Sequence, residues 1–155
     1  MIHRFERFSY AISEISRCWH RIAGEEMGEY GMSGSSSVYF TTLYRYPEGV
    51  TAAQLGELCS RDKADVSRTM ALLEKKGLVV RQGSSYRARL QLTEQGVAVA
   101  EQINQKASAA VEHASRGLPG EKREIFYEAL ELITANLQML SKEGLPSGRK
   151  ETDND

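Results

Sequence analysis

The fold is decided by the stretch from Thr51 to Arg81, which reads TAAQLGELCSRDKADVSRTMALLEKKGLVVR. Thr51 is a residue type that caps a helix N-terminus, and the sequence after it predicts a short helix from Ala52 to Cys59. Asp62 caps a second helix, which ends at Gly77 and has one apolar face at Val66, Met70 and Leu73. Because only a short turn separates the two helices, they predict a helix-turn-helix.

A β-hairpin is predicted directly after the second helix. Leu78 to Gln82 and Arg87 to Gln91 are short runs with strand character, and the second run alternates polar and apolar side chains. The tip of the hairpin is predicted at Gly83, Ser84 and Ser85. We therefore expect a mainly α protein with one small two-stranded β element.

Further helices flank this central part. A helix capped by the serines after Ser33 is stopped by Pro47, a long helix runs from Thr93 to Gly117, and Pro119 starts the last helix. The first helix of the chain carries one apolar stripe, formed by Phe5, Phe8, Ile12, Ile15, Trp19 and Ile22.

The last helix has a similar stripe, formed by Ile125, Ala129, Leu132, Ile133, Asn136, Leu137 and Leu140. Stripes of this size must be buried against the same domain or against a partner subunit. The heptad-like spacing of the first stripe favours a seam between subunits. We therefore expect dimerisation through the N- and C-terminal helices.

The overall composition is that of an ordinary globular protein, with 155 residues of which 41% are hydrophobic and 26% charged. Its apolar runs are far shorter than the roughly 20 residues that cross a bilayer, so we expect neither a membrane span nor a signal peptide. Cys18 and Cys59 lack the spacing of a zinc site or a disulfide framework. The expected location is therefore a reducing cytoplasm.

The net charge of −1 conceals a basic central segment. Residues 59–91 contain eight basic and three acidic side chains, which give this segment a net charge of +5 and leave −6 on the rest of the chain. A local positive surface, rather than a basic total, is what binding to a polyanion requires. The charge pattern thus favours a nucleic-acid-binding face in the helix-turn-helix and hairpin.

The order of the elements and three of the segments resemble the MarR family of bacterial transcription regulators. The segment 51–81 resembles the family's helix-turn-helix and first wing strand. LQLTEQG, residues 90–96, resembles its second wing strand, and LPGEKREIFYEALELITANL, residues 118–137, resembles its closing dimerisation helix. The chain departs from the family at the wing tip, where the usual acidic residue and arginine fall on Ser84 and Tyr86.

The resemblance covers about residues 5 to 142 and implies a single winged helix-turn-helix domain over 1–155. The winged-helix lobe is expected at about 35–93 and the dimerisation helices at 1–30 and 94–142. We expect residues 144–155 to form a disordered tail, because they have no apolar periodicity. The implied function is a cytoplasmic homodimer that binds double-stranded DNA at a pseudo-palindromic operator, most simply as a repressor.

The second helix of the motif is expected to read the DNA major groove. Its outward residues are Lys63, Ala64, Asp65, Ser67 and Arg68. Arg68 suits a guanine or a phosphate, Lys63 a phosphate and Ala64 a thymine methyl group. Asp65 has three interpretations: it accepts from cytosine, it braces Arg68, or it only complements the helix dipole.

The wing is expected to contribute two arginines. Arg87 and Arg89 alternate with apolar residues on one strand and should face outward together, toward phosphates or the minor groove. Arg81 is expected to be a structural anchor at the base of the wing.

The resemblance also implies a small aromatic effector, bound in a crevice between the dimerisation helices and the DNA-binding lobe. Candidate lining residues are Trp19, His20, Tyr39 and Tyr44, with Arg17 or Arg21 as the counter-ion. Aromatic residues at helical spacing are, however, more often part of a core.

Enzymatic and metal-dependent functions are not favoured. His3, His20 and His113 lack metal-ligand spacing, and the sequence contains no GxSxG, P-loop or GxGxxG motif, so we expect no metal, no cofactor and no enzyme. Two alternatives remain open: a winged-helix protein-interaction module whose basic face binds an acidic protein, and a redox-sensing regulator that uses the Cys18 thiol.

Overall fold

The computed structural model describes residues 2–83 and 87–145. The predicted helices and wing strands occur in these ranges in the predicted order, together with a 3-10 helix and a short strand that were not predicted. They are α1 (Ile2–Gly28), a 3-10 helix (Gly34–Ser36), α2 (Ser37–Arg45), β1 (Val50–Thr51), α3 (Ala52–Cys59), α4 (Lys63–Lys75), β2 (Val79–Gln82), β3 (Arg89–Leu92), α5 (Glu94–Ala114) and α6 (Gly120–Glu143).

The chain divides into two compact units, Met1–Ala109 and Ala110–Asp155. The first holds α1 to α4, the sheet and most of α5, and the second holds the end of α5 and α6. The single domain over 1–155 stays a prediction. The wing-tip positions Ser84, Ser85 and Tyr86 lie outside the described residues. Of the predicted tail, only Gly144 and Leu145 are described.

The core lies in the first unit, where α2, α3, α4, the sheet and α5 bury their apolar faces. Its largest fully buried side chains are Tyr39, Phe40, Met27, Leu43, Leu55, Met70, Leu73, Leu90 and Val66. Burying one such aliphatic or aromatic side chain contributes about 1.5–3 kcal/mol to folding. The predicted inner face of the second motif helix is therefore confirmed, because Val66, Met70 and Leu73 are all in this core.

The two motif helices begin at the predicted caps, whereas the serines predicted to cap α2 make no side-chain cap hydrogen bond, and α5 ends at Ala114, before Gly117. The Thr51 side chain accepts from the Gln54 backbone N–H at 3.3 Å, and the Gln54 side chain accepts in return from the Thr51 N–H at 3.0 Å. Asp62 caps α4 by accepting from the Asp65 N–H at 2.8 Å. Gly77, with a φ of 71°, supplies the left-handed residue that ends α4.

The sheet has three strands in the order β1, β3, β2, and both pairings are antiparallel. Val50 pairs with Leu90, and Val79 pairs with Leu92. The mainly α fold with a small β wing is confirmed, but the third strand was not predicted. β1 has only two residues, which is too short for the alternation that marks a strand.

Gly96 allows the first turn of α5 to lie against the base of the wing. A Cβ at this position would overlap the Leu78 carbonyl oxygen. Thr93 joins the same corner, because its side chain donates to the Gly77 carbonyl at 2.6 Å and accepts from the Gly96 N–H at 3.1 Å. The start of α5 and the end of α4 are thus fixed to each other by direct contacts.

The two long terminal helices keep much apolar surface exposed in the single chain. In α1, Phe5 and Ile15 are 71% and 60% exposed. In α6, which is described over its full length, no side chain is buried, and Ile125 and Leu132 are both 63% exposed. Several members of both stripes are therefore strongly exposed in the single chain. Within the described ranges, no helix has the length and apolar character needed to span a bilayer.

Candidate nucleic-acid interface

The outer face of α4 gathers the predicted DNA-reading side chains on one surface. Lys63, Ala64, Ser67 and Arg68 are exposed, whereas the opposite face of the helix is buried in the core. Because the buried face fixes the rotation of the helix, these four side chains are held toward solvent on a rigid support. Their role as DNA contacts stays a prediction.

Asp65 differs from the other members of this face, since it is half-buried and tied to two residues. The Tyr39 hydroxyl donates to Asp65 Oδ2 at 2.6 Å, and Arg68 Nη2 lies 3.5 Å from Asp65 Oδ1. The Tyr39 hydrogen bond is the main reason why the pKa of Asp65 is lowered, and the charges of Arg61 and Arg68 lower it further against the opposing effect of burial. Of the three interpretations of Asp65, these contacts favour a brace for Arg68.

The contact between Tyr39 and Asp65 was not predicted from the sequence. Tyr39 was predicted to line a ligand crevice, but it is buried in the core with its hydroxyl bonded to Asp65 on α4. The two residues are 26 positions apart, on α2 and α4, and no local pattern marks such a pair. Burial and the neighbouring carboxylate raise the pKa of Tyr39, so this hydroxyl keeps its proton at neutral pH.

A groove of about 630 Å³ runs between α3 and α4 beside this face. Three of its lining side chains are basic: Arg61, Lys63 and Arg81. Arg61 belongs to the basic segment 59–91, and no local pattern in the sequence indicated its place beside α4. The groove also contains the acidic Glu57, and it reaches from α4 to Arg81 at the base of the wing.

The two predicted wing arginines lie on either side of a buried residue. Both Arg87 and Arg89 are exposed and the intervening Ala88 is buried, as the alternation predicted. The Arg89 guanidinium, however, donates to the backbone carbonyl of Gly49 at 2.9 Å, so Arg89 also holds the sheet to the loop before β1. The usual minor-groove position, Tyr86, lies outside the described residues.

Arg81 is the structural anchor that the sequence predicted. Its Nε donates to Glu74 Oε1 at 3.1 Å, and its Nη2 donates to Glu74 Oε2 at 3.4 Å. This two-point contact fastens β2 to the last turns of α4.

The structure does not bring the five predicted crevice residues together. Arg17 pairs with Glu14 on the surface of α1, and the His20 ring lies 2.7 Å from the Ser16 carbonyl oxygen. The Tyr44 hydroxyl donates to Glu101 at 3.3 Å, and Tyr39 is in the core. Trp19 is the one member of the set that lines a cavity described in this unit.

That cavity has a volume of about 230 Å³ and lies among α1, α2 and α5. Its walls are mainly apolar and include Trp19, Ile22, Met27, Val38 and Ile103. An ion pair between Lys106 and Glu26 lies in the same lining. The cation nearest the cavity is thus Lys106 rather than the predicted Arg17, which is paired on the surface of α1.

The two cysteines differ in exposure. Cys59 is buried, and burial is the main reason why the pKa of its thiol is raised, while a hydrogen bond to Thr42 acts in the opposite direction. Packing is therefore a sufficient explanation for Cys59. Cys18 on α1 is half-buried.

Comparison with known proteins agrees with this architecture. A model of the MarR family matches residues 30–90. The fold is similar to that of a MarR transcriptional regulator from Methanosarcina mazei Go1, with a TM-score of 0.78 and 24% identity over 87% of this chain and 92% of that one.

Two similar structures contain DNA. A MarR family transcriptional regulator from Listeria monocytogenes complexed with 26mer DNA has a TM-score of 0.77 and 20% identity, over 89% of this chain and 95% of that one. The Staphylococcus aureus MepR–DNA complex has a TM-score of 0.74 and 20% identity, over 84% and 96% of the two chains. None of the curated proteins matches this sequence. The winged-helix segment 30–90 therefore matches the MarR family, and the fold is similar to that of solved MarR transcriptional regulators.

Proposed function

We propose that this chain is a transcription regulator that binds double-stranded DNA with sequence specificity. The observation that carries the proposal is the exposed face of α4, where Lys63, Ser67 and Arg68 project from a helix whose other face is buried. An α-helix fits the major groove of B-DNA, and arginine makes bidentate contacts with guanine. The similar structures with bound DNA support the same use of this fold.

The regulator acts as a homodimer through α1 and α6. Each of these helices carries an apolar stripe with strongly exposed members in the single chain, such as Ile15 on α1 and Ile125 on α6. A row of exposed apolar side chains along a helix is typical of an interface between subunits. A two-fold axis would place two recognition helices in successive major grooves, about 10 base pairs apart, on a pseudo-palindromic operator.

Repression follows most simply from this arrangement, because a dimer that covers its operator competes with transcription. The protein works in the cytoplasm, where its DNA is. The cavity among α1, α2 and α5 suits a small aromatic effector, because its walls are apolar and Lys106 supplies a cation at its lining. An acidic ligand there would compete with Glu26 for Lys106, so binding can be coupled to a change at α5.

Selection of bound duplexes from a random pool tests the DNA-binding proposal. We expect an enriched motif with an inverted repeat and half-sites about 10 base pairs apart, and specific binding that weakens as salt increases. Poor binding to every duplex at every salt concentration would contradict the proposal and would favour the protein-interaction module. An enriched motif without an inverted repeat would contradict the symmetric dimer but not DNA binding.

A further inference from the structure

The contact between Tyr39 and Asp65 joins the core to the recognition helix at the residue beside Arg68. Tyr39 is 1% exposed, and its hydroxyl reaches Asp65 Oδ2 at 2.6 Å. The other carboxylate oxygen, Oδ1, is the one that faces Arg68 Nη2. One carboxylate therefore connects a buried tyrosine to an exposed arginine.

We propose that Tyr39 is a positioning residue for base recognition, which holds the Asp65 carboxylate where it orients the Arg68 guanidinium. This inference rests on the proposed function, since it assigns a buried residue to the specificity of the same α4 surface. Tyr39 itself lies in the core and is not expected to touch DNA.

The geometry explains why Arg68 needs such a brace. Its side chain is 77% exposed, and a long exposed side chain samples many rotamers unless a partner restricts it. The Asp65 contact engages one nitrogen of the guanidinium, so the remaining N–H donors are available for a base. A pre-oriented arginine loses less rotamer freedom when it binds and discriminates better against the wrong base.

The same contact controls where the negative charge of Asp65 lies. A carboxylate on a DNA-binding face repels phosphates, and the Tyr39 hydrogen bond holds this one toward the protein, with 29% of the side chain exposed. Arg61 and Arg68 are the charged groups whose fields act on it. Without the hydroxyl, the carboxylate is free to turn outward and to release Arg68.

The test compares Tyr39→Phe with wild type on the selected operator and on a panel of its single-base variants. Discrimination against the wrong base at the position read by Arg68 should fall roughly three- to tenfold. This loss is a part of the discrimination that one bidentate contact supplies. Discrimination at the other positions and the salt dependence should be unchanged. Tyr44→Phe is the matched control. It also removes a hydroxyl on α2 that donates to a carboxylate, but that carboxylate belongs to Glu101 on α5 and not to a residue of α4.

A merely structural role would lower stability without changing the pattern of base preference. Unfolding in urea therefore accompanies each binding measurement. If Tyr39→Phe fails to fold, Asp65→Asn replaces it, and the same positional loss is expected because the charge that orients Arg68 is removed. In an Arg68→Ala background, Tyr39→Phe should cause no further loss of discrimination.

Uniform weakening across the whole panel, or the same pattern as Tyr44→Phe, would overturn the positioning role of Tyr39 and leave the proposed function intact. Failure of the wild-type protein to discriminate any variant would instead overturn the proposed function, and the inference with it. The two failures are thus distinguishable in one experiment.

Discussion

Arg89 Nη1 donates a hydrogen bond to the Gly49 carbonyl oxygen at 2.9 Å, so the wing strand β3 is fastened to the residue that precedes β1. Gln91 makes a similar link, from its side chain to the Pro47 carbonyl at 3.1 Å. Arg89 therefore has a structural role that its position on the strand did not reveal.

Replacing Arg89 with Ala should lower the free energy of unfolding by about 1 kcal/mol, because a half-buried carbonyl loses a charged donor. Urea denaturation followed by circular dichroism measures this change. Arg21→Ala, at an exposed site on α1, serves as the control and should stay within about 0.5 kcal/mol of wild type. Equal stabilities for the two variants would contradict the structural role of Arg89.

Replacing Ile15 with Glu should abolish the dimer, because the subunit interface would have to bury an unpaired charge. Light scattering should then give a mass near the 17.3 kDa of one chain, whereas the wild type should give twice that mass. Ser13→Glu, on the opposite side of α1, should remain dimeric. A wild-type mass near one chain at micromolar concentration would exclude the proposed dimer.

Replacing Gly96 with Ala should destabilise the fold by about 1–3 kcal/mol, because its Cβ would overlap the Leu78 carbonyl oxygen and force the backbone to shift. The control is Gly24→Ala in α1, where a Cβ meets nothing within 4 Å. That change should stabilise the helix by about 0.5–1 kcal/mol. Thermal unfolding of the two variants should therefore shift in opposite directions, and a shift in the same direction would show that the α5 corner is not tightly packed.

The stabilising effect of the Tyr39–Asp65 hydrogen bond should depend on pH. Since the folded protein lowers the pKa of Asp65, this contribution is fully present above the unfolded value of about 3.9 and is lost as the pH falls through the lowered value. Tyr39→Phe should thus cost about 1 kcal/mol at pH 7 and at pH 5, and less at pH 3. Urea unfolding at the three pH values measures the difference, and an undiminished cost at pH 3 would argue against an ionised Asp65 as the acceptor.

Local signals were sufficient to predict most of the fold. Thr51 and Asp62 cap the two motif helices as their residue types indicated, and Gly77 ends α4 with a positive φ. These features depend on residues within one turn of each other, so the sequence shows them directly.

Features that depend on distant partners were not predictable in this way. The Tyr39–Asp65 and Arg89–Gly49 contacts join residues 26 and 40 positions apart, and periodicity does not show which polar groups meet. The five crevice residues share an aromatic or basic character, yet most of them bond to near neighbours or lie in the core. Of the five, Trp19 is the one that lines the cavity among α1, α2 and α5, and this follows from the packing of these helices rather than from the sequence pattern.

The central claim, that the exposed face of α4 reads DNA, is tested most directly by binding of Arg68→Ala and Arg87→Ala to a panel of single-base operator variants at several salt concentrations. Arg68→Ala should cost roughly 1–3 kcal/mol and relax the preference at one position of each half-site. Arg87→Ala should weaken binding evenly over the panel and change the slope of log K against log salt by about 2 for a symmetric dimer. Uniform weakening by Arg68→Ala, together with altered base preference in Arg87→Ala, would contradict the account and assign base reading to the wing.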